Sequence, residues 1–273
     1  MRNSKYINNI IFTSSILFSL GLANYISSQS TKPPIFISRQ NSSINFDKKV
    51  WDLFHFGQKR LISSLYWIAT ILESDVEHYK KKDLNSWMFL RFETITFLEP
   101  KFLETYTFGG PYLSIIKDDI PGASLIYQKG LEHYPSNYLL LKNAAFHFHF
   151  EAEDYVTAAR VLKSLKAQPN VNPLLLTSLA RIESSQGNLD NAFIVLSEIY
   201  NQLKVKNNPL AYKILSNLYA IKAEKDLECL NLEKNNCNTT DLSGNKYLRN
   251  NLGKYVALES WSPYRIKKKA AQN

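Results

Sequence analysis

Between residues 50 and 228, apolar side chains recur at intervals of three and four, the period of helices with one buried face. The runs "YLLLKNAAFHF", "DYVTAARVLKSL", "PLLLTSLARIESSQG" and "QGNLDNAFIVLSEIY" all carry this pattern. Turn-forming residues separate them. Small residues sit at fixed places within the pattern: Ala123, Ala158 and Ala192 follow one another at spacings of 35 and 34 residues. A small side chain among large ones marks a place where a second helix approaches closely. Recurrence at that period predicts helix–turn–helix units that stack because no single unit buries its own apolar face.

The pattern resembles the tetratricopeptide repeat. Leu179, Ala180, Gly187, Ala192, Leu196 and Ile199 match it without a gap, and Ala145, Phe148, Ala158, Leu162 and Leu165 match with one extra residue in the turn. Gly109, Ala123, Tyr127, Gly130 and Pro135 match on the second helix, after a longer first turn through "KDDIPG". A fourth first helix is expected in "LAYKILSNLYAIKAEKDL", and two Trp-containing runs over 47–100 read as a degenerate helical pair capping the other end. The resemblance implies an all-α, right-handed helix-turn-helix array over 101–228. Pro111, behind Gly109 and Gly110, removes one helical hydrogen bond and predicts a distorted first helix there.

The two ends differ from the middle. "IIFTSSILFSLGLANYI" has no charged residue and follows Arg2 and Lys5. Tyr6 to Ile26 matches the ~20 residues that cross a bilayer, with the positive end cytoplasmic. Residues 1–28 are therefore expected to be a signal anchor or a cleaved signal peptide. Residues 29–46, rich in Ser, Asn, Gln and Pro, read as a linker. Residues 229–273 read as an appendage with a β-hairpin around Asn250, Asn251 and Gly253 and a basic tail containing Lys267, Lys268 and Lys269, taken as frayed. Either reading of the amino end places the body outside the cytoplasm, anchored to the inner membrane of a bacterium or released into the periplasm.

Composition then narrows the chemistry. The net charge of +9 is concentrated at the ends, +4 in residues 1–46 and +6 in 245–273, so the repeat body is close to neutral. A nucleic-acid groove needs a basic stripe on that body, and none is expected. Cys229 and Cys237 are the only cysteines; in an oxidising compartment they form either a disulfide or a pair of free thiols. His147 and His149, two apart in "FHFHF", point in different directions on a helix and are expected on its surface rather than around a metal. His55, His78 and His133 have no partner at ligand spacing. There is no G-x-S-x-G elbow and no G-x-x-x-x-G-K-[ST] loop. No catalytic residue, cofactor or metal is expected, and the chain reads as non-enzymatic.

Binding remains. In arrays of the resembled kind, the first helices line a concave groove that takes an extended peptide or a partner helix. Phase assigns to it Leu139, Lys142, Phe146 and His149 from one unit. The next contributes Leu174, Thr177, Arg181 and Ser184, and the last Lys213 and Asn217. Lys142, Arg181 and Lys213 suit an acidic partner. The expectation is a protein-interaction scaffold of the bacterial envelope; the alternatives are a soluble periplasmic or secreted binding protein, and an accessory subunit of an envelope enzyme or secretion complex.

Overall fold

The computed structural model describes residues 2–29, 38–169 and 171–266. Helix accounts for 65% of the chain and strand for 2%, so the fold is all-α. Two compact units divide it, one up to Ser43 and one from Ile44 onward.

The first unit consists of α1 (Arg2–Gln29) and the single turn α2 (Arg39–Ser42). The expected span from Tyr6 to Ile26 falls within α1, but the side chains before Phe12 lie outside the described residues. From Phe12 on, Leu17, Phe18, Leu20, Tyr25 and Ile26 are all exposed. Among the described residues no helix is long and apolar enough to cross a membrane. Most of the expected linker, residues 30–37, also lies outside them.

The second unit begins with α3 (Lys48–Phe54) and α4 (Lys59–Leu72), and α4 packs on α5 (Trp87–Leu98). A helix over 103–116 is followed by α6 (Ile120–His133). Then α7 (Tyr138–Phe146), prolonged by the π-helical turn His147–Glu151, pairs with α8 (Tyr155–Lys166). The 3-10 turn Pro173–Leu176 runs into α9 (Thr177–Ser185), which pairs with α10 (Leu189–Val205), and α11 (Leu210–Asn231) packs on α10. The starts are set locally. Ser86, Asp119, Asn137 and Asp154 each accept a hydrogen bond from an otherwise unpaired backbone N–H in the first turn of α5, α6, α7 and α8. Between α9 and α10 the chain turns through Gly187 at φ +83, a left-handed conformation that disfavours a side chain.

Ala123, Ala158 and Ala192 are each completely buried, on α6, α8 and α10. Their small size is a packing requirement. Ala192→Leu should lower stability by roughly 1–3 kcal/mol through overpacking. Urea unfolding with an unchanged midpoint would mean that the neighbouring helices leave room at this position.

Pro111 distorts its helix in a specific way. The helix over 103–116 contains two π-helical segments, Thr105–Gly109 and Tyr112–Ile116, on either side of the proline. Pro111 has no N–H to offer the Thr107 carbonyl, and the Asn143 side chain on α7 donates to that carbonyl instead, at 3.0 Å. Gly110 is required here: a Cβ on it would lie 2.6 Å from the Tyr127 ring.

The carboxyl end holds the expected hairpin, with β1 (Leu248–Arg249) antiparallel to β2 (Tyr255–Val256). Cys229 and Cys237 are joined by a disulfide, Cα–Cα 5.6 Å. Tyr219 and Tyr247 fix this module to α11: the Tyr219 hydroxyl donates to Asp241 and the Tyr247 hydroxyl to Asp226, each at 3.1 Å.

Candidate functional site

A cavity of about 500 Å³ opens between the helix over 103–116, α7 and the start of α9. Its walls are mostly apolar. Ile115, Phe146, Phe150, Leu174 and Leu175 line it, with Leu162 and Leu165 contributed by α8. Phe146 and Phe150, one turn apart, face each other at 4.9 Å and are both about half exposed. Lys142 is the cation on this lining; it is exposed and forms no ion pair among the described residues. An apolar cavity with a free ammonium beside it suits an apolar side chain next to a carboxylate.

One wall is polar. His147 is 1% exposed and bridges two helices: its Nδ1 lies 2.8 Å from Ser114 Oγ, and its Nε2 lies 2.8 Å from Ser124 Oγ. The Ser124 hydroxyl also donates to the Ile120 carbonyl at 2.9 Å, so it accepts from Nε2–H, leaving Nδ1 to accept from Ser114. The Tyr127 ring packs against the imidazole at 5.1 Å. Burial pushes the His147 pKa down to about 4, because a charged imidazole loses its hydration here. A base that weak does little at neutral pH, and no carboxylate orients it, so the Ser114–His147–Ser124 bridge acts as a structural tie.

The second feature was not foreseen. Residues 261–266 carry no regular secondary structure and lie against α9 and α11. The Tyr264 hydroxyl donates to the Thr177 carbonyl at 3.2 Å, and the Arg181 guanidinium lies 4.8 Å from the Tyr264 ring centre. The backbone N–H of Ile266 donates to Ser185 Oγ at 2.8 Å, and Arg265 pairs with Glu224 on α11. Tyr264 is buried in the main core cluster. Tyr264, Arg265 and Ile266, which begin the "YRIKKKAAQN" tail that the sequence reads as frayed, are therefore held in place; Lys267, Lys268 and Lys269 lie outside the described residues.

The structure sorts the ten expected groove residues into groups. Lys142, Phe146, Leu174 and Thr177 line the cavity, while Leu139 is exposed on α7 outside that lining. Thr177 and Arg181 also hold the tail. Lys213 and Asn217, on α11, line none of the described cavities. Two expectations need correction. His149 and Ser184 are buried, not groove surface: the π-helical turn after Phe146 shifts the phase and carries His149 inward against Phe150 and Tyr155. On α9, the serine that reaches the tail is Ser185. His147 is also buried rather than on the helix surface, and its phase with Leu140, Ala144 and Phe148 carried that information. Ser185 and Glu224 continue the helical faces of Thr177–Arg181 and Lys213–Asn217, so their place was legible as well. Nothing local marked Tyr264.

Lys142, Arg181 and Lys213 do not form one cluster: the Arg181 guanidinium is engaged on the Tyr264 ring, and neither it nor Lys213 lines the cavity. Among the described residues no group of three or more His, Cys, Asp or Glu side chains is arranged to hold a metal ion. No protein-family model, curated protein or solved structure matches this chain.

Proposed function

We propose that this protein is a non-catalytic interaction scaffold built as a tetratricopeptide-like helical array, and that the face of its first helices binds an extended peptide. The observation that carries the reading is the chain's own segment 261–266, an irregular stretch turned at Tyr264 by a hydrogen bond from the Arg265 N–H to the Pro263 carbonyl and held across α9 and α11 through backbone and side-chain groups. A surface that binds one chain segment this way has the hydrogen-bonding groups to bind another. The adjoining cavity takes an apolar anchor side chain, and Lys142 receives an acidic neighbour of that anchor.

The test is selection of a displayed random-peptide library on the immobilised full-length protein. Peptides with a large apolar residue close to Asp or Glu should be enriched. Ala145→Trp, which fills the cavity, should abolish that enrichment while the rest of the fold is monitored by circular dichroism. Enrichment that is absent, or unaffected by the filled cavity, would place the binding elsewhere.

The reading includes attachment to the bacterial envelope through α1, whose described apolar side chains are exposed around the helix and whose serines Ser19 and Ser28 hydrogen-bond back to their own turn. Reporter fusions after Asn273 should then be active only outside the cytoplasm, and the protein should resist carbonate extraction. A soluble product with a shortened amino end would favour the exported binding protein instead.

A further inference from the structure

We infer that the α9–α11 part of this face selects a peptide carrying an aromatic residue followed by a cation, and that residues 261–266 occupy it in cis until such a peptide displaces them. The inference rests on the peptide-binding reading above and specifies its partner. Glu224 is its main support. That carboxylate is 8% exposed, and although Arg265 pairs with one oxygen, Oε2 is buried with no hydrogen-bond partner among the described residues. A buried carboxylate with unused acceptor capacity favours a cationic group, and a planar guanidinium offers two parallel donors to it.

The aromatic preference has a separate origin. Arg181 extends over the Tyr264 ring at 4.8 Å, an arrangement that rewards a π face and penalises an aliphatic side chain. The Tyr264 hydroxyl finds the Thr177 carbonyl at 3.2 Å, so a phenol is matched at its tip as well as its face. Backbone recognition by Ser185 Oγ at the next position fixes the direction and register of the segment. The ion pair that holds Arg265 is one-sided: the Arg265 side chain is 53% exposed and the Glu224 side chain only 9%. The guanidinium can therefore leave into solvent, whereas the carboxylate stays buried and calls for a replacement cation.

The experiment uses the full-length protein and a fluorophore-labelled hexapeptide with the sequence Trp-Ser-Pro-Tyr-Arg-Ile. Arg265→Glu places like charges together and should release the tail; Tyr264→Ala, a second route, removes the ring. Either variant should show faster amide exchange at Ile266 and bind the labelled peptide on the order of tenfold more tightly than the parent, in which the tail competes. Changing the peptide's arginine to glutamate should cost at least about tenfold. Glu224→Gln in the Arg265→Glu background should largely remove that discrimination. The inference is overturned if Ile266 stays protected in both variants, since the tail is then a fixed part of the core. It is also overturned if the freed face ignores the peptide or binds both versions equally. Library enrichment that depends on the Phe146 cavity would survive either result, which separates this inference from the reading it extends.

Discussion

Phe92→Ala should remove about 3–5 kcal/mol of stability, the largest effect expected of any single substitution here. The ring is completely buried on α5 and packs against Trp67 of α4 at 5.7 Å between ring centres. On its other side lies Gly109, whose missing Cβ would sit 3.1 Å from the ring. Phe92 therefore fills the space shared by α4, α5 and the helix over 103–116. These packed surfaces are too rigid to collapse into the void an alanine leaves. For a fold with a total stability on the order of 5–15 kcal/mol, such a loss unfolds much of the population under mild denaturant. The urea midpoint measures it, with Phe146→Ala as comparison, because Phe146 is half exposed and should cost under about 1 kcal/mol. Equal effects at the two positions would show that the packing of α4 and α5 is loose.

Acidification should destabilise the protein through His147. Its pKa is about 4 in the folded chain against the ordinary 6.5, lowered by burial. Between those values the unfolded chain binds a proton that the folded one refuses, so stability rises with pH across the window. The contribution is complete above about 6.5 and is lost as pH falls through about 4, amounting to roughly 3 kcal/mol. His149, whose pKa is also lowered by burial and by the Arg181 charge, acts with the same sign. His147→Gln keeps polar atoms near Ser114 and Ser124 but does not titrate. The difference in unfolding free energy between neutral pH and about pH 4.5 should shrink in that variant by the amount assigned to the imidazole. An unchanged difference would mean that His147 is hydrated in solution.

Helix positions and buried faces were largely readable from local pattern. The alternation around Ala123, Ala158 and Ala192 carries both the period of the helices and the places where they touch, because burial of one face imposes its spacing on the residues that supply it. The Asp, Asn and Ser caps are equally local, acting within one turn. The hairpin around Gly253 and the pairing of Cys229 with Cys237 involve residues close in sequence and were at least open alternatives.

The contents of the site were not local. One extra residue per turn in the π-helical segments rotates everything after Phe146, so a phase counted at 3.6 residues placed His149 on the surface. The Thr107 carbonyl freed by Pro111 is met by Asn143, 36 residues away. Tyr264 reaches Thr177 across 87 residues. No helical or strand period extends through 261–266, and the contacts that hold this segment come from two helices already packed by other residues. Periodicity reports which side of an element is buried against its neighbours. It carries no information about which distant segment will lie on the side left open, because that depends on charge, hydrogen-bonding groups and free volume assembled from helices far apart in the chain.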